Sequence, residues 1–167
     1  FIGKKYGVTV SNGTAALDIA IKALDINKND EVIVTPRTFI ASVSSVCNVG
    51  AKPIFADIDL DSGNITAESI LKVITKKTKA IICVHLGGWP CDMDPIMKIA
   101  RKNKIKVIED CSQAHGAKYK GRSVGTYGDI STWSFCQDKI ITTGGEGGMV
   151  TTNNKKFWDI MWAYKDH

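Results

Sequence analysis

The sequence contains no CxxC pair, although it has five cysteines, Cys47, Cys83, Cys91, Cys111 and Cys136. An odd number of thiols without paired spacing argues against a disulfide framework and against a metal site, and a reducing cytosol is the expected location. Long apolar runs are missing too, since stretches such as Ala80–Val84 are far too short to span a bilayer. Only four prolines occur and no low-complexity segment is present; with 44% apolar and 23% charged residues, a disordered tail or linker is excluded. Basic charge is not concentrated. Lys and Arg number 22 against 17 Asp and Glu, a net charge of +5. The densest groups, Lys76-Lys77 with Lys79 and Arg101-Lys102 with Lys104, read as solvated helix ends. A nucleic-acid partner is therefore not expected. The sequence opens at Phe1-Ile2-Gly3 rather than at Met, and no signal peptide is expected ahead of it.

What the sequence does have is alternation. Its 167 residues suffice for one domain with a hydrophobic core but not comfortably for two. Short apolar runs predict strands at Gly7–Val10, Glu31–Thr35, Pro53–Asp57, Ala80–His85, Lys106–Asp110, Ile130–Phe135 and Gly148–Thr152. Amphipathic spacing predicts helices at Thr14–Leu24, Ile40–Asn48, Ala67–Thr75, Pro95–Asn103 and Lys156–Tyr164. Strands apolar on both faces and separated by helices imply crossover connections and a mainly parallel sheet covered on both sides. The fold class is α/β, a three-layer αβα arrangement. Pro95 falls in a first helical turn, and Asp61-Ser62-Gly63-Asn64 is a turn cluster.

In open α/β sheets, ligands collect at the carboxyl ends of the strands. The segments that follow the predicted strands are polar and rich in glycine. They are Ser11-Asn12-Gly13-Thr14, Pro36-Arg37-Thr38-Phe39, His85-Leu86-Gly87-Gly88, Cys111-Ser112-Gln113-Ala114-His115-Gly116, and Ser134-Phe135 running on to Lys139 and Gly144-Gly145-Glu146-Gly147-Gly148.

Several of these residues carry chemistry. At a helix N-terminus, Gly13 would let a ligand approach the backbone and Thr14 would offer a hydroxyl to an anion, although the same segment also suits a plain N-cap. It matches neither a Walker A loop nor a GxGxxG fingerprint, so a phosphate bound there need not belong to ATP or NAD. Asp110 ends an apolar strand, where it is either exposed at the rim or held against a cation such as the pyridinium nitrogen of pyridoxal phosphate. Glu109 is expected to point to the other face as a structural neighbour. Gln113 lies close by, and His115 is read as a locally satisfied histidine rather than a catalytic one. Cys83 and Cys136 are expected to act as small hydrophobes, and Cys111 to be packed rather than reactive. Lys139 is the sharpest candidate, because a lysine among apolar and hydrogen-bonding groups can lose its proton and condense with an aldehyde. Ser134 offers a further hydroxyl for a phosphate.

Four motifs together resemble the DegT-type family of sugar aminotransferases. They are Ser11-Asn12-Gly13-Thr14-Ala15-Ala16-Leu17, Pro36-Arg37-Thr38-Phe39-Ile40-Ala41-Ser42, Glu109-Asp110-Cys111-Ser112-Gln113-Ala114-His115-Gly116-Ala117, and the run from Ser134 to Gly148. Members of that family are fold-type-I enzymes dependent on pyridoxal 5′-phosphate. The resemblance implies that Lys139 forms the internal aldimine and shuttles protons, and that Asp110 holds the pyridine nitrogen. It implies that Gln113 bonds the phenolic oxygen, that Gly13, Thr14 and Ser134 cradle the phosphate, and that Phe39 stacks on the ring. Phe39 alone would otherwise read as a core aromatic opening a helix. The glycine run has one more glycine than expected before Glu146, and Cys136-Gln137-Asp138 replaces the His-Pro or Tyr-Pro often seen before the lysine. Lys139 itself argues against the dehydratase branch, which carries His there.

The family further implies amino transfer from an amino acid, with glutamate expected, to a nucleotide-linked keto sugar for polysaccharide or glycan synthesis. It implies a cytoplasmic homodimer with its active site at the interface. Residues 1–167 would form part of the large, cofactor-binding domain, with an N-terminal segment and a small C-terminal domain lying outside them. Two other readings stay open: a fold-type-I enzyme acting on amino acids, and a cofactor-binding module without turnover.

Overall fold

A computed structural model describes residues 2–166. The chain runs β1 (Tyr6–Val10), α1 (Gly13–Ala23), β2 (Glu31–Val34), α2 (Ala41–Asn48), β3 (Lys52–Phe55), α3 (Ala67–Val73) and β4 (Thr78–Val84). After a single 3-10 turn at Leu86–Gly88 come α4 (Met93–Asn103), β5 (Lys106–Asp110), β6 (Lys118–Tyr119), β7 (Arg122–Ser123), β8 (Ile130–Ser134), β9 (Gly148–Thr152) and α5 (Lys155–Asp166).

Seven strands form one sheet in the order β1-β9-β8-β5-β4-β2-β3. The pairs β2–β3, β2–β4, β4–β5 and β5–β8 are parallel, while β9 is antiparallel to both β8 and β1. Two reversals restore direction, so β1 runs the same way as β8 and only β9 opposes the rest. The carboxyl ends of β1, β2, β4, β5 and β8 therefore open on one edge. All seven expected strands and five expected helices are present.

Side chains alternate across the sheet even where every residue is apolar. Val32, Val34, Ala80, Ile82 and Ile108 pack with α1 and α2, together with Met161 of α5. Ile33, Ile81, Cys83 and Val107 face the other way, against α3 and α4. This is the three-layer arrangement that the apolar strands demand. Both faces must be covered, so neither can be read from a polar–apolar alternation.

Boundaries shift by a few residues for identifiable reasons. Pro53 lies within β3, which is tolerated because β3 is the sheet edge and needs no N–H on its outer side. Helix α4 begins at Met93, which puts Pro95 within the first turn, where backbone N–H groups have no intrahelical acceptor. The hairpin β6–β7, which no apolar run announces, turns through Lys120 and Gly121, both with positive φ.

Candidate active site

A cleft of about 390 Å³ lies at the carboxyl edge of the sheet, on the α1/α2 side. Gly13, Thr14, Phe39, Asp110, Gln113, Ser134 and Lys139, drawn from the ends of β1, β2, β5 and β8 and the segments that follow them, all line it. The parallel topology is what brings them together.

Asn12 caps α1, with its side chain accepting from the Ala15 N–H at 2.8 Å. The N–H groups of Gly13 and Thr14 lie at the positive end of the helix dipole in residues that line the cleft, so one segment can both cap the helix and offer donors to an anion. Gly13 is needed for a close approach: a Cβ there would stand 2.8 Å from Ser134 Cβ and 3.3 Å from Ser134 Oγ. Strand β8 thereby delivers the Ser134 hydroxyl to the first turn of α1. A Cβ on Gly148 would likewise strike the backbone of Asn12.

Asp110 is 6% exposed and has no cationic partner among the described residues. One carboxylate oxygen accepts from Ser112 N at 3.1 Å and Ser112 Oγ at 2.6 Å; the other accepts from Ser42 Oγ at 3.3 Å. Thr38 Oγ1 and Ser42 Oγ lie 2.8 Å apart, so the loop after β2 and the first turn of α2 orient this carboxylate. A buried carboxylate held by hydroxyls and open to a cleft is suited to a cationic N–H on a ligand. Ser42 and Thr38 were not singled out in the sequence. Their i, i+4 spacing across a helix start was the available signal.

The Gln113 side-chain oxygen accepts from Gly87 N at 2.8 Å, which ties the loop after β5 to the 3-10 turn after β4 and leaves the amide nitrogen as a donor. Phe39 is 68% exposed, so the core-aromatic alternative is excluded. Its ring stands at the mouth of the cleft.

Lys139 sits on a loop strapped across the ends of β8 and β9. Phe135 N donates to Gly147 O at 2.8 Å, Thr143 N to Phe135 O at 3.1 Å, and Lys139 N to Cys136 O at 3.0 Å. Gly144 adopts φ +82°, which explains a glycine at that point of the run. The Lys139 side chain is 19% exposed, and its Nζ lies 3.3 Å from an Asp138 carboxylate oxygen.

Three expectations need correction. Cys136 is not packed as a hydrophobe but lines the cleft, with its thiol donating to Glu146 at 3.2 Å. His115 is buried, yet neither ring nitrogen has a hydrogen-bond partner among the described residues. The loop after β5 folds it against Trp133 and Phe135, with ring centroids 5.5 Å away in each case. Burial is the largest influence on its pKa and lowers it; the nearby Ser134 backbone carbonyl acts against this, and the Lys139 charge adds to it. Glu109 does face away from the cleft, but it is more than a neighbour. Its carboxylate accepts from the N–H groups of Gly125, Tyr127 and Gly128 at 2.7, 2.8 and 2.6 Å. It also lies 3.1 Å from His85 Nε2, whose opposite nitrogen accepts from Cys91 N. The acceptor Nδ1 fixes the proton on Nε2, which donates to Glu109. His85, Glu109 and Cys111 place ligand-type atoms within 4.8 Å of one another. The carboxylate's positions are already filled by these four donors, so the cluster acts as a hydrogen-bonded clamp. Cys111 is fully buried, and burial pushes its thiol up to about 12, which suits packing rather than reactivity.

The cleft therefore suits a ligand with an anionic group at one end and a protonated ring nitrogen at the other. Pyridoxal phosphate has both. Gly13, Thr14 and Ser134 would hold its phosphate, Asp110 its ring nitrogen, and Gln113 a ring oxygen, while Lys139 brings the one side-chain amine that lines the cleft among the described residues.

Known proteins share this fold. The chain is 54% identical over 161 residues to GDP-perosamine synthase of Escherichia coli O157:H7, covering 96% of this chain and 44% of that protein. The crystal structure of an aminotransferase from Psychrobacter cryohalolentis superposes with a TM-score of 0.98 at 67% identity, over 99% of this chain and 42% of that one. A putative sugar aminotransferase from Streptococcus pneumoniae, in its PLP form, gives a TM-score of 0.91 at 31% identity, over 97% of this chain and 46% of that one. The chain thus spans less than half the length of these relatives. The model of the DegT/DnrJ/EryC1/StrS aminotransferase family matches residues 1–167, and the chain belongs to that family.

Proposed function

We propose that this chain is the cofactor-binding part of the large domain of a pyridoxal-phosphate-dependent aminotransferase. The enzyme moves an amino group from glutamate to a nucleotide-linked keto sugar used in polysaccharide or glycan synthesis. The observation that carries the reading is the convergence of Lys139, Asp110 and the start of α1 on one cleft. Enzymes of this family use pyridoxal phosphate, and relatives named for GDP-, UDP- and dTDP-linked sugars support the substrate class.

The bound cofactor supplies an electron sink adjoining the substrate's α-carbon. The chain's own residues do the rest. Asp110, oriented by the hydroxyls of Ser42 and Ser112, holds the ring N–H. The free N–H groups of Gly13 and Thr14, with the Ser134 hydroxyl, bind the phosphate and fix its position. Gln113 donates its amide hydrogen to the ring oxygen. Phe39 covers the ring and excludes water, while the Lys139 amine takes up and returns the substrate proton.

No helix among the described residues is long and apolar enough to cross a membrane. Phe39, Ile40 and Ile140 are each at least 65% exposed around the cleft, and such apolar exposure supports a homodimer with the active site at the interface. Light scattering on this chain should therefore show self-association, and a clean monomer would count against it.

The test of function uses the full-length protein loaded with pyridoxal phosphate. Lys139→Ala should abolish the visible absorption of the lysine-bound cofactor and the spectral change on adding glutamate. Survival of both, unchanged, would refute the role of Lys139. A normal response to glutamate without turnover of GDP-, UDP- or dTDP-linked keto sugars would instead assign the enzyme to amino-acid substrates.

A further inference from the structure

A second groove, of about 590 Å³, opens on the α3/α4 side of the sheet edge and is lined by Asn64, Trp89 and Tyr119 among others. Two short arms connect it to the cofactor cleft. In the first, Phe39 lines the cleft, and Arg37, two residues earlier, lays its guanidinium against Gly63 in the strap that carries Asn64. In the second, Gly87 N is bonded to Gln113 of the cleft, and Trp89, two residues later, lines the groove. Asn64 joins the arms. It is 3% exposed, its side-chain nitrogen donates to Trp89 O at 2.8 Å, and its side-chain oxygen is buried without a partner.

Two groups at this junction are left for a ligand. The Arg37 guanidinium has no ion-pair or hydrogen-bond partner among the described residues, and the Trp89 indole is 65% exposed. A Cβ on Gly63, at φ +67°, would fall 1.8 Å from Arg37 Nη1, so the guanidinium lies over the strap at a residue with no side chain. A planar cation matches the paired oxygens of a diphosphate. An exposed indole offers a stacking surface for a base. Each arm is two residues long, about 7 Å of chain, so a ligand held by both would have its far end at the cofactor cleft.

We propose that Arg37 and Trp89 form the subsite for the nucleoside diphosphate of the substrate, with Arg37 on the diphosphate and Trp89 stacked on the base. The sugar is thereby directed past Phe39 and Gln113 towards Lys139. This inference rests on the function proposed above and adds the residues that hold its nucleotide.

The test measures binding of free GDP, UDP and dTDP to the full-length holoenzyme by calorimetry, alongside the spectral response to glutamate. At least one nucleotide should bind. Arg37→Ala should weaken that binding about tenfold or more, and Trp89→Ala about fivefold to a hundredfold, with Trp89→Phe recovering part of the loss. The glutamate response should be unchanged in all three variants. If wild type binds none of the three, or if the Arg37→Ala and Trp89→Ala variants bind as wild type does, the subsite is wrong. If the variants lose the glutamate response equally, the residues support the fold or the cofactor instead, and the subsite is again refuted. Failure of the aminotransferase reading is seen separately, as no response to glutamate in the wild type.

Discussion

Replacing Glu109 with Gln tests how the sheet edge is held. One carboxylate oxygen accepts from Tyr127 N and Gly128 N, the other from Gly125 N and His85 Nε2, and both side chains are fully buried. Glutamine offers one oxygen and one NH2, so in either orientation two N–H donors face another donor. Each deprived donor costs about 1–3 kcal/mol, giving a loss of about 2–6 kcal/mol. That is a large share of the about 5–15 kcal/mol by which domains are stable. Urea denaturation followed by circular dichroism at pH 7 should show the midpoint falling by about 1–2 M, with an unchanged slope. Glu146→Gln, which alters an exposed carboxylate contacted by a thiol, should shift stability by less than about 0.5 kcal/mol and serves as the control. The pH dependence adds a second reading. Burial opposes the Glu109 charge, but His85 and the backbone N–H groups outweigh it and hold the carboxyl below its ordinary value. A carboxylate with a depressed folded-state pKa contributes its stability above the unfolded value, near about 4.3, and loses it as pH falls through the folded value. The gap between wild type and Glu109→Gln should therefore be full at pH 7 and narrow below about pH 4. A midpoint shift under about 0.3 M at pH 7 would refute the clamp.

Three further outcomes are expected. Gly13→Ala would place a Cβ 2.8 Å from Ser134 Cβ, where carbon atoms prefer about 3.5–4.0 Å, and the overpacking should cost about 1–3 kcal/mol. Read as pyridoxal phosphate affinity by fluorescence titration, this is a loss of about tenfold to a hundredfold, and unchanged affinity would separate Gly13 from the phosphate site. Asp110→Asn keeps one oxygen for the two Ser112 donors, presents an NH2 that the Ser42 hydroxyl can accept, and removes the charge. It should slow the glutamate response of the full-length enzyme by about a hundredfold or more while leaving cofactor bound, as stopped-flow absorbance would show. In the native chain, Cys47 is exposed and Cys136 partly so, whereas Cys83, Cys91 and Cys111 are buried. A chromogenic thiol reagent should therefore react with two thiols before denaturation and five after it; rapid reaction of a third would contradict the packing.

The layered fold was legible because parallel strands buried on both faces produce apolar runs separated by amphipathic helices, and every such run became a strand. The seven candidate residues were legible for a related reason: a chain that alternates strand and helix places its post-strand loops on one edge whatever lies between them. What stayed hidden depends on tertiary packing. The Lys120-Gly121 hairpin has no apolar signal, since its strands are two residues long and partly exposed. Nothing in Ala114-His115-Gly116 indicates that the imidazole meets Trp133 and Phe135 rather than a hydrogen-bond partner. Arg37 read only as part of a loop, and its place beside Gly63 follows from a strap folded back from 26 residues later in the chain.

The two acidic residues that end β5 show how one strand divides its labour. Adjacent residues in a strand point to opposite faces, so Glu109 and Asp110 enter different layers although their backbones are joined. Glu109 meets four N–H donors, which fill its acceptor positions and leave it nothing to offer a ligand. Asp110 meets hydroxyls, which stabilise its charge without neutralising it, and so remains available to a cation in the cleft. His85 couples the two. Its ring is bonded to Glu109, while its backbone N–H donates to Asp110 O at 3.1 Å. Moving Glu109 would therefore displace the end of β4 and the carbonyl of Asp110 together. A substitution at Glu109 small enough to permit folding should still disturb the cofactor's ring nitrogen, a site it never touches.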